Sequence, residues 1–140
     1  ELQEQSFGDW QGMTHKELGE IRGDVWHRFW LAPAAEAPPG GESFEALMHR
    51  TSTTIDELNE AYRGKDIIAV THGGTIRAAV AKALDLTPEK ALGLTVGNLS
   101  LTRLDHYGAE DDPMLAHSSW GAGYINAEPL TFLPTKKTPE

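Results

Sequence analysis

The clearest pattern of apolar and polar positions lies at the middle of the chain. Ile67 to Val70 is a continuous apolar run, mostly β-branched, which predicts a strand buried on both faces of a parallel sheet. The chain breaks at Gly73-Gly74 and resumes with Ile76, Ala79, Val80, Ala83 and Leu84 at helical spacing. Upstream, Ser43 is a fitting N-cap for a long helix whose apolar face carries Phe44, Leu47, Met48, Thr51, Ile55, Leu58 and Tyr62 and which ends near Gly64. Thr14 and Glu17 form a capping box that opens a helix through about Ile21. Val25, Trp26, Phe29 and Trp30 make a further apolar stripe, suited to the core or to a lid. Thr87-Pro88-Glu89 reads as another helix start. Leu99–Leu104 alternates like a half-buried strand, and Met114–Trp120 is a candidate last strand, antiparallel to it. Helix, strand and helix in alternation predict an α/β domain.

Between these elements lie the loops. Residues 32–41 carry three prolines and two glycines, and the stretch Phe7, Gly8, Trp10, Gly12 reads as a compact turn packed by rings. The stretch His106–Pro113 is a polar, acidic turn, and Pro134–Glu140 is a polar tail after a single domain spanning residues 1–133.

Composition narrows the classes of function. The net charge of −9 argues against a nucleic-acid or anionic-membrane partner, and no apolar run reaches membrane-spanning length. With no cysteine, disulfides, thiolate metal sites and cysteine nucleophiles are excluded, and a cytoplasmic location is the expectation. None of the six histidines stands in a metal-ligand spacing, and neither a G-x-S-x-G elbow nor a P-loop occurs. No metal or cofactor is therefore expected.

One histidine is placed differently from the other five. His72 stands between the predicted strand and a helix amino terminus, where α/β sheets bind ligands and where free N–H groups favour an anion. That context suits a phosphate site containing a histidine, although a packing role would give the same pattern. Phosphoryl transfer also needs a carboxyl group to protonate the leaving oxygen, and Glu4, beside the glycine-aromatic turn, is a candidate. Spacing alone does not bring Glu4 and His72 together.

Four stretches, in order, then resemble a known family. They are Glu4-Gln5-Ser6-Phe7-Gly8-Asp9-Trp10-Gln11-Gly12, Pro39-Gly40-Gly41-Glu42-Ser43, Val70-Thr71-His72-Gly73-Gly74-Thr75-Ile76-Arg77 and Gly97-Asn98-Leu99-Ser100. Together they are similar to the histidine phosphatase superfamily, with its phosphoglycerate mutase-like fold, and to its phosphatase branch. The resemblance implies a three-layer α/β/α sheet and a phosphohistidine mechanism acting on a phosphorylated small molecule. Glu4 then matches the general acid. His72 matches the second histidine, which helps hold the phosphoryl group, and Gly73 matches a phosphate-facing backbone N–H.

The departure from the family's pattern is equally specific. The Arg-His-Gly nucleophile motif of that family occurs nowhere in the 140 residues, nor does its second phosphate-binding arginine. The family's first strand lies beside the strand matched by Ile67–Val70, so the sheet is expected to be incomplete on the amino-terminal side. An apolar edge left open in this way favours a homo-oligomer. The simplest reading is the carboxyl-terminal portion of a longer phosphatase. A phosphoglycerate mutase, a non-catalytic remnant binding phosphorylated ligands, and a nucleotide-binding module are the alternatives. The last lacks a G-x-G-x-x-G motif. Substrate selection falls to the Arg22–Glu42 segment, where Arg22, Arg28 and the aromatic residues could form a lid.

Overall fold

The computed structural model describes residues 1–21, 28–29, 31–108 and 119–128, with the side chain of His15 excepted. Among the described residues a short 3-10 turn, Gly8–Trp10, is followed by the helices α1 (His15–Glu20), α2 (Phe44–Ala61), α3 (Gly73–Leu84) and α4 (Pro88–Leu92). Two strands follow, β1 (Leu101–His106) and β2 (Trp120–Ala127), paired antiparallel. Helices and a small, incomplete sheet make this an α/β arrangement.

Local chemistry accounts for where the helices start. The capping box of α1 closes in both directions, the Thr14 hydroxyl accepting from the Glu17 N–H and the Glu17 carboxylate accepting from the Thr14 N–H. Those bonds hold the Glu17 carboxyl below its ordinary value. Ser43 caps α2 through the Ala46 N–H, and Thr87 caps α4 through the Lys90 N–H, with Pro88 in the first turn.

The core is a helical sandwich of unequal side chains. Phe44 and Leu47 of α2 pack on Ala78 and Ala81 of α3 and on Ala91 of α4. The alanines let the helix axes approach closely while the large residues fill the space between them. At the rim of this contact Lys82 donates to Ser52 at 2.9 Å and lies 2.8 Å from the Asp56 carboxylate.

The expected apolar face of α3 is displaced by about one position. Thr75, Ala78, Val80, Ala81 and Ala83 are buried, whereas Leu84 is exposed and Ile76 and Ala79 are half-buried. The helix begins at Gly73 rather than after the glycine pair, with His72 as N-cap, and this sets which residues face α2. Tyr62, expected on the apolar face of α2, is exposed just past the helix end.

The strand expected at Ile67–Val70 requires the largest correction. Residues 65–72 run without helix or ladder, and Ile68 and Val70 are 92% and 99% exposed. Among the described residues, no backbone hydrogen bond joins 66–70 to another segment. The run has the composition of a buried strand but no neighbour among the described residues to bury it, the open edge that the resemblance predicts.

The sheet that does form starts later than the sequence pattern places it. Leu99, expected in the strand, takes a left-handed φ of 59° outside it, and β1 runs Leu101–His106. The second strand pairs antiparallel as expected but occupies Trp120–Ala127, whereas 114–118 lie outside the described residues. Register shifts at Leu101/Arg103 and Arg103/Leu104 bulge the ladder. Asn126 sits at this bulge with φ 56°, a conformation Asn tolerates well. Its side-chain oxygen accepts from the Gly97 N–H at 2.7 Å, tying the preceding loop to the sheet. The stripe Val25, Trp26, Phe29 and Trp30 lies outside the described residues except for Phe29, which is buried with its ring 5.2 Å from that of Trp10, edge to face. The tail Pro134–Glu140 and most of 106–113 also lie outside them.

Candidate active site

The amino-terminal stretch is not a free tail. It lies across the start of α3, held by one hydroxyl on that helix and one just before it. Thr71 Oγ1 donates to the Leu2 carbonyl, and Thr75 Oγ1 donates to the Gln3 carbonyl at 2.6 Å. Thr75 is only 1% exposed, so its hydroxyl needs that acceptor. The consequence is to deliver Glu4 to the head of the helix.

There the Glu4 carboxylate meets the backbone. Its Oε1 accepts from the Gly74 N–H at 3.1 Å and from the Gln5 N–H at 2.9 Å, and its Oε2 lies 3.3 Å from the Gly74 nitrogen. Oε1 is therefore engaged twice, whereas Oε2 makes one long contact and is the oxygen with room for a proton or a substrate. A carboxylate at this end also meets the positive end of the helix dipole. Gly74 is required by contact: a Cβ there would stand 2.3 Å from Glu4 Oε1.

The two residues singled out far apart in sequence thus converge. His72 is the N-cap of α3, two residues before the glycine that holds Glu4, and its side chain is exposed and makes no cap bond. The Gly73 N–H, in the first turn, makes no hydrogen bond among the described residues, and nothing lies within 4 Å of where a Gly73 Cβ would be. One carboxylate, one imidazole and one open N–H share this helix head.

Glu42 and Arg50 were not singled out by sequence, and they form the polar frame behind Glu4. Arg50 Nε and Nη2 donate to the two oxygens of Glu42 at 2.9 and 2.7 Å, a bidentate pair. Arg50 Nη2 also donates to the carbonyls of Gln3 and Glu4, each at 3.1 Å, and Nη1 to that of Glu1. Glu42 in turn accepts from the Ser6 N–H at 2.9 Å. Hydrogen bonding to Arg50 holds the Glu42 carboxyl below its ordinary value against the opposing effect of burial, and the same bond raises Arg50. The signal in the sequence was a glutamate immediately before an N-cap and an arginine at the edge of the apolar face of α2. Residues Glu1, Gln3, Glu4, Ser6, Glu42 and Arg50 line an open cavity of about 270 Å³.

Two of the motifs turn out to be one structure. The Asp9 N–H donates to the Pro39 carbonyl at 2.8 Å, and the Glu42 N–H donates to the Ser6 carbonyl at 2.9 Å. Gly8, at φ 51°, packs so closely that a Cβ would stand 2.1 Å from the Pro39 oxygen. Of the lid residues, Arg22 lies outside the described residues and Arg28 is exposed. His15 has no described side chain, His27 and His117 fall outside the described residues, and His49 and His106 are exposed on α2 and β1.

Residues 1–116 match the histidine phosphatase superfamily (branch 1). The chain is 34% identical over 137 residues to a glucosyl-3-phosphoglycerate phosphatase of Mycolicibacterium vanbaalenii, an alignment covering 90% of this chain and 60% of that one. It is 34% identical over 79 residues to a metal-independent phosphoserine phosphatase of Arabidopsis thaliana, covering 56% of this chain and 33% of that protein. Among solved structures, the alpha-ribazole phosphatase of Shigella flexneri superposes with a TM-score of 0.74 at 21% identity, over 90% of this chain and 58% of that one. That similarity establishes the fold. The chain spans between 23% and 60% of the length of the curated relatives it matches.

Proposed function

The chain belongs to the histidine phosphatase superfamily, and we propose that it supplies the acid and the phosphate-neutralising groups of a phosphomonoester hydrolase. The observation that carries this reading is the hydrogen bond from the Gly74 N–H to the Glu4 carboxylate, which brings Glu4 to the head of the helix that His72 caps. The family's Arg-His-Gly motif does not occur in the 140 residues, so in this reading they contribute the acid and the phosphate-neutralising groups and not the nucleophile.

In this reading a histidine nitrogen attacks phosphorus in line. The N–P bond forms as the bond to the ester oxygen breaks, and Glu4 gives its proton to that leaving oxygen. His72 and the open Gly73 N–H neutralise charge on the equatorial oxygens, which helps most when the phosphoryl group is in transit. Water then attacks the phosphohistidine, Glu4 takes its proton, and the N–P bond breaks to release inorganic phosphate. Oε2 of Glu4, the less engaged oxygen, carries the proton in both half-reactions.

The names of two relatives, a phosphoserine phosphatase and a glucosyl-3-phosphoglycerate phosphatase, support a small phosphorylated molecule as substrate. Cytoplasmic location accords with the cysteine-free composition. The test is a series of phosphomonoesters of graded leaving-group basicity, comparing wild type with Glu4→Ala. Turnover of alkyl phosphates should fall by about 10²–10⁴-fold and that of activated aryl phosphates much less. Equal loss across the series would remove Glu4 as the acid.

A further inference from the structure

We infer that Arg50 is the positioning residue for the Glu4 carboxylate, acting through its ion pair with Glu42. The inference rests on Glu4 being the acid proposed above, and adds how that acid is held. Glu4 lies on a stretch with neither helix nor ladder, so no regular structure fixes its backbone. Besides the Thr71 and Thr75 hydroxyls, what fixes it is one guanidinium. Arg50 takes the carbonyls of Gln3 and Glu4, while its partner Glu42 takes the Ser6 N–H. Both peptide groups flanking Glu4 are therefore pinned by Arg50, and the next one, between Gln5 and Ser6, by its ion-pair partner Glu42.

The geometry suits an arginine and no other cation. Two nitrogens are spent on the Glu42 carboxylate, and Nη2 reaches on to two carbonyls, a fan of donors that a lysine ammonium cannot reproduce. The pair is 23% and 21% exposed, withdrawn enough from solvent for its bonds to be more than a surface contact. Thr75 grips the Gln3 carbonyl from the opposite side, so the stretch is held between α2 and α3. If Arg50 lets go, the chain pivots on Thr75 and the carboxylate leaves the Gly74 N–H. Arg50 acts in this arrangement through Glu4.

The Gly74 amide provides a reporter that does not depend on activity. Because Glu4 accepts its proton, ionisation of Glu4 should appear as a step in the Gly74 amide shift when the isotopically labelled chain is titrated. In Arg50→Met that step should vanish, and Gly74 amide exchange should quicken on the order of tenfold. Arg50→Lys should restore part of the step, and Arg63→Met, which removes an exposed arginine of α2's end, should leave it intact. Methyl shifts of Leu47 and Val80 report the core, and should hold in every variant. Should Arg50→Met lose those core shifts, Glu42→Gln, which keeps the side-chain shape, gives the reading, with the step again expected to shrink. A full Gly74 step in Arg50→Met, or in Glu42→Gln where Arg50→Met loses its core, overturns the proposal. The leaving-group series fails separately: equal losses there with the step abolished here would sink the acid assignment and leave the clamp standing.

Discussion

A single methyl group separates a working helix head from a blocked one. Gly74→Ala would place its Cβ 2.3 Å from Glu4 Oε1, well inside contact distance, so the carboxylate must swing away. We expect this variant to fold and to lose about as much turnover on poor leaving groups as Glu4→Ala, with activated esters affected less, as read from the same substrate series. An unchanged profile in Gly74→Ala would show that Glu4 acts from elsewhere. At this scale the sequence was informative about identities and silent about distance. Glu4 and His72 stand out because a carboxyl group beside a glycine turn and a histidine before a glycine pair are unusual contexts. Arg50 does not stand out, because an arginine beside an apolar helical face is ordinary until the carbonyls it reaches are known.

Elements whose causes are local were legible, and those whose causes are distant were not. The three side-chain caps, at Thr14, Ser43 and Thr87, each depend on residues within three positions, and each forms as the spacing predicts. The apolar run Ile67–Val70 depends on a neighbouring strand, which its own residues cannot supply, and it is exposed. The shifted face of α3 has the same origin: its start is set by His72 as N-cap, and its burial by where α2 lies. Two variants measure these contributions. Leu47→Ala removes a fully buried side chain at the contact of α2 with α3 and α4 and should cost about 2–5 kcal/mol, read by chemical denaturation. Ser43→Ala removes only the cap of α2 and should cost about 1 kcal/mol. A Ser43→Ala cost equal to that of Leu47→Ala would mean that α2 is held by its end rather than by its face.

Across the whole molecule, acid sensitivity and association follow from two features already described. Hydrogen bonding to Arg50 holds Glu42 below the ordinary carboxyl value. A group with a lowered folded value contributes its full stability above the unfolded value of about 4.3 and loses it as pH falls through the folded value. The stability gap between wild type and Glu42→Gln should therefore be largest near neutrality and close progressively as pH falls from the unfolded value of about 4.3 through the lower folded value, where wild-type Glu42 is itself protonated. A gap that stays constant with pH would deny the pair this role. The exposed run Ile68 and Val70 should drive concentration-dependent association of the chain, and Ile68→Lys with Val70→Lys should reduce it in sedimentation velocity. Unaltered sedimentation would place the contact elsewhere.

The family's chemistry and this chain's geometry together make a claim about where the phosphoryl group rests. In the proposed reading His72 holds it and does not receive it. The most direct measurement is rapid acid-free quenching of the active phosphatase with a labelled phosphomonoester, followed by mapping of the labelled peptide. We predict a phosphohistidine at a position other than His72, accumulating further when Glu4→Gln slows its hydrolysis. Label on His72, or turnover with no phosphoryl-enzyme at all, would contradict the account.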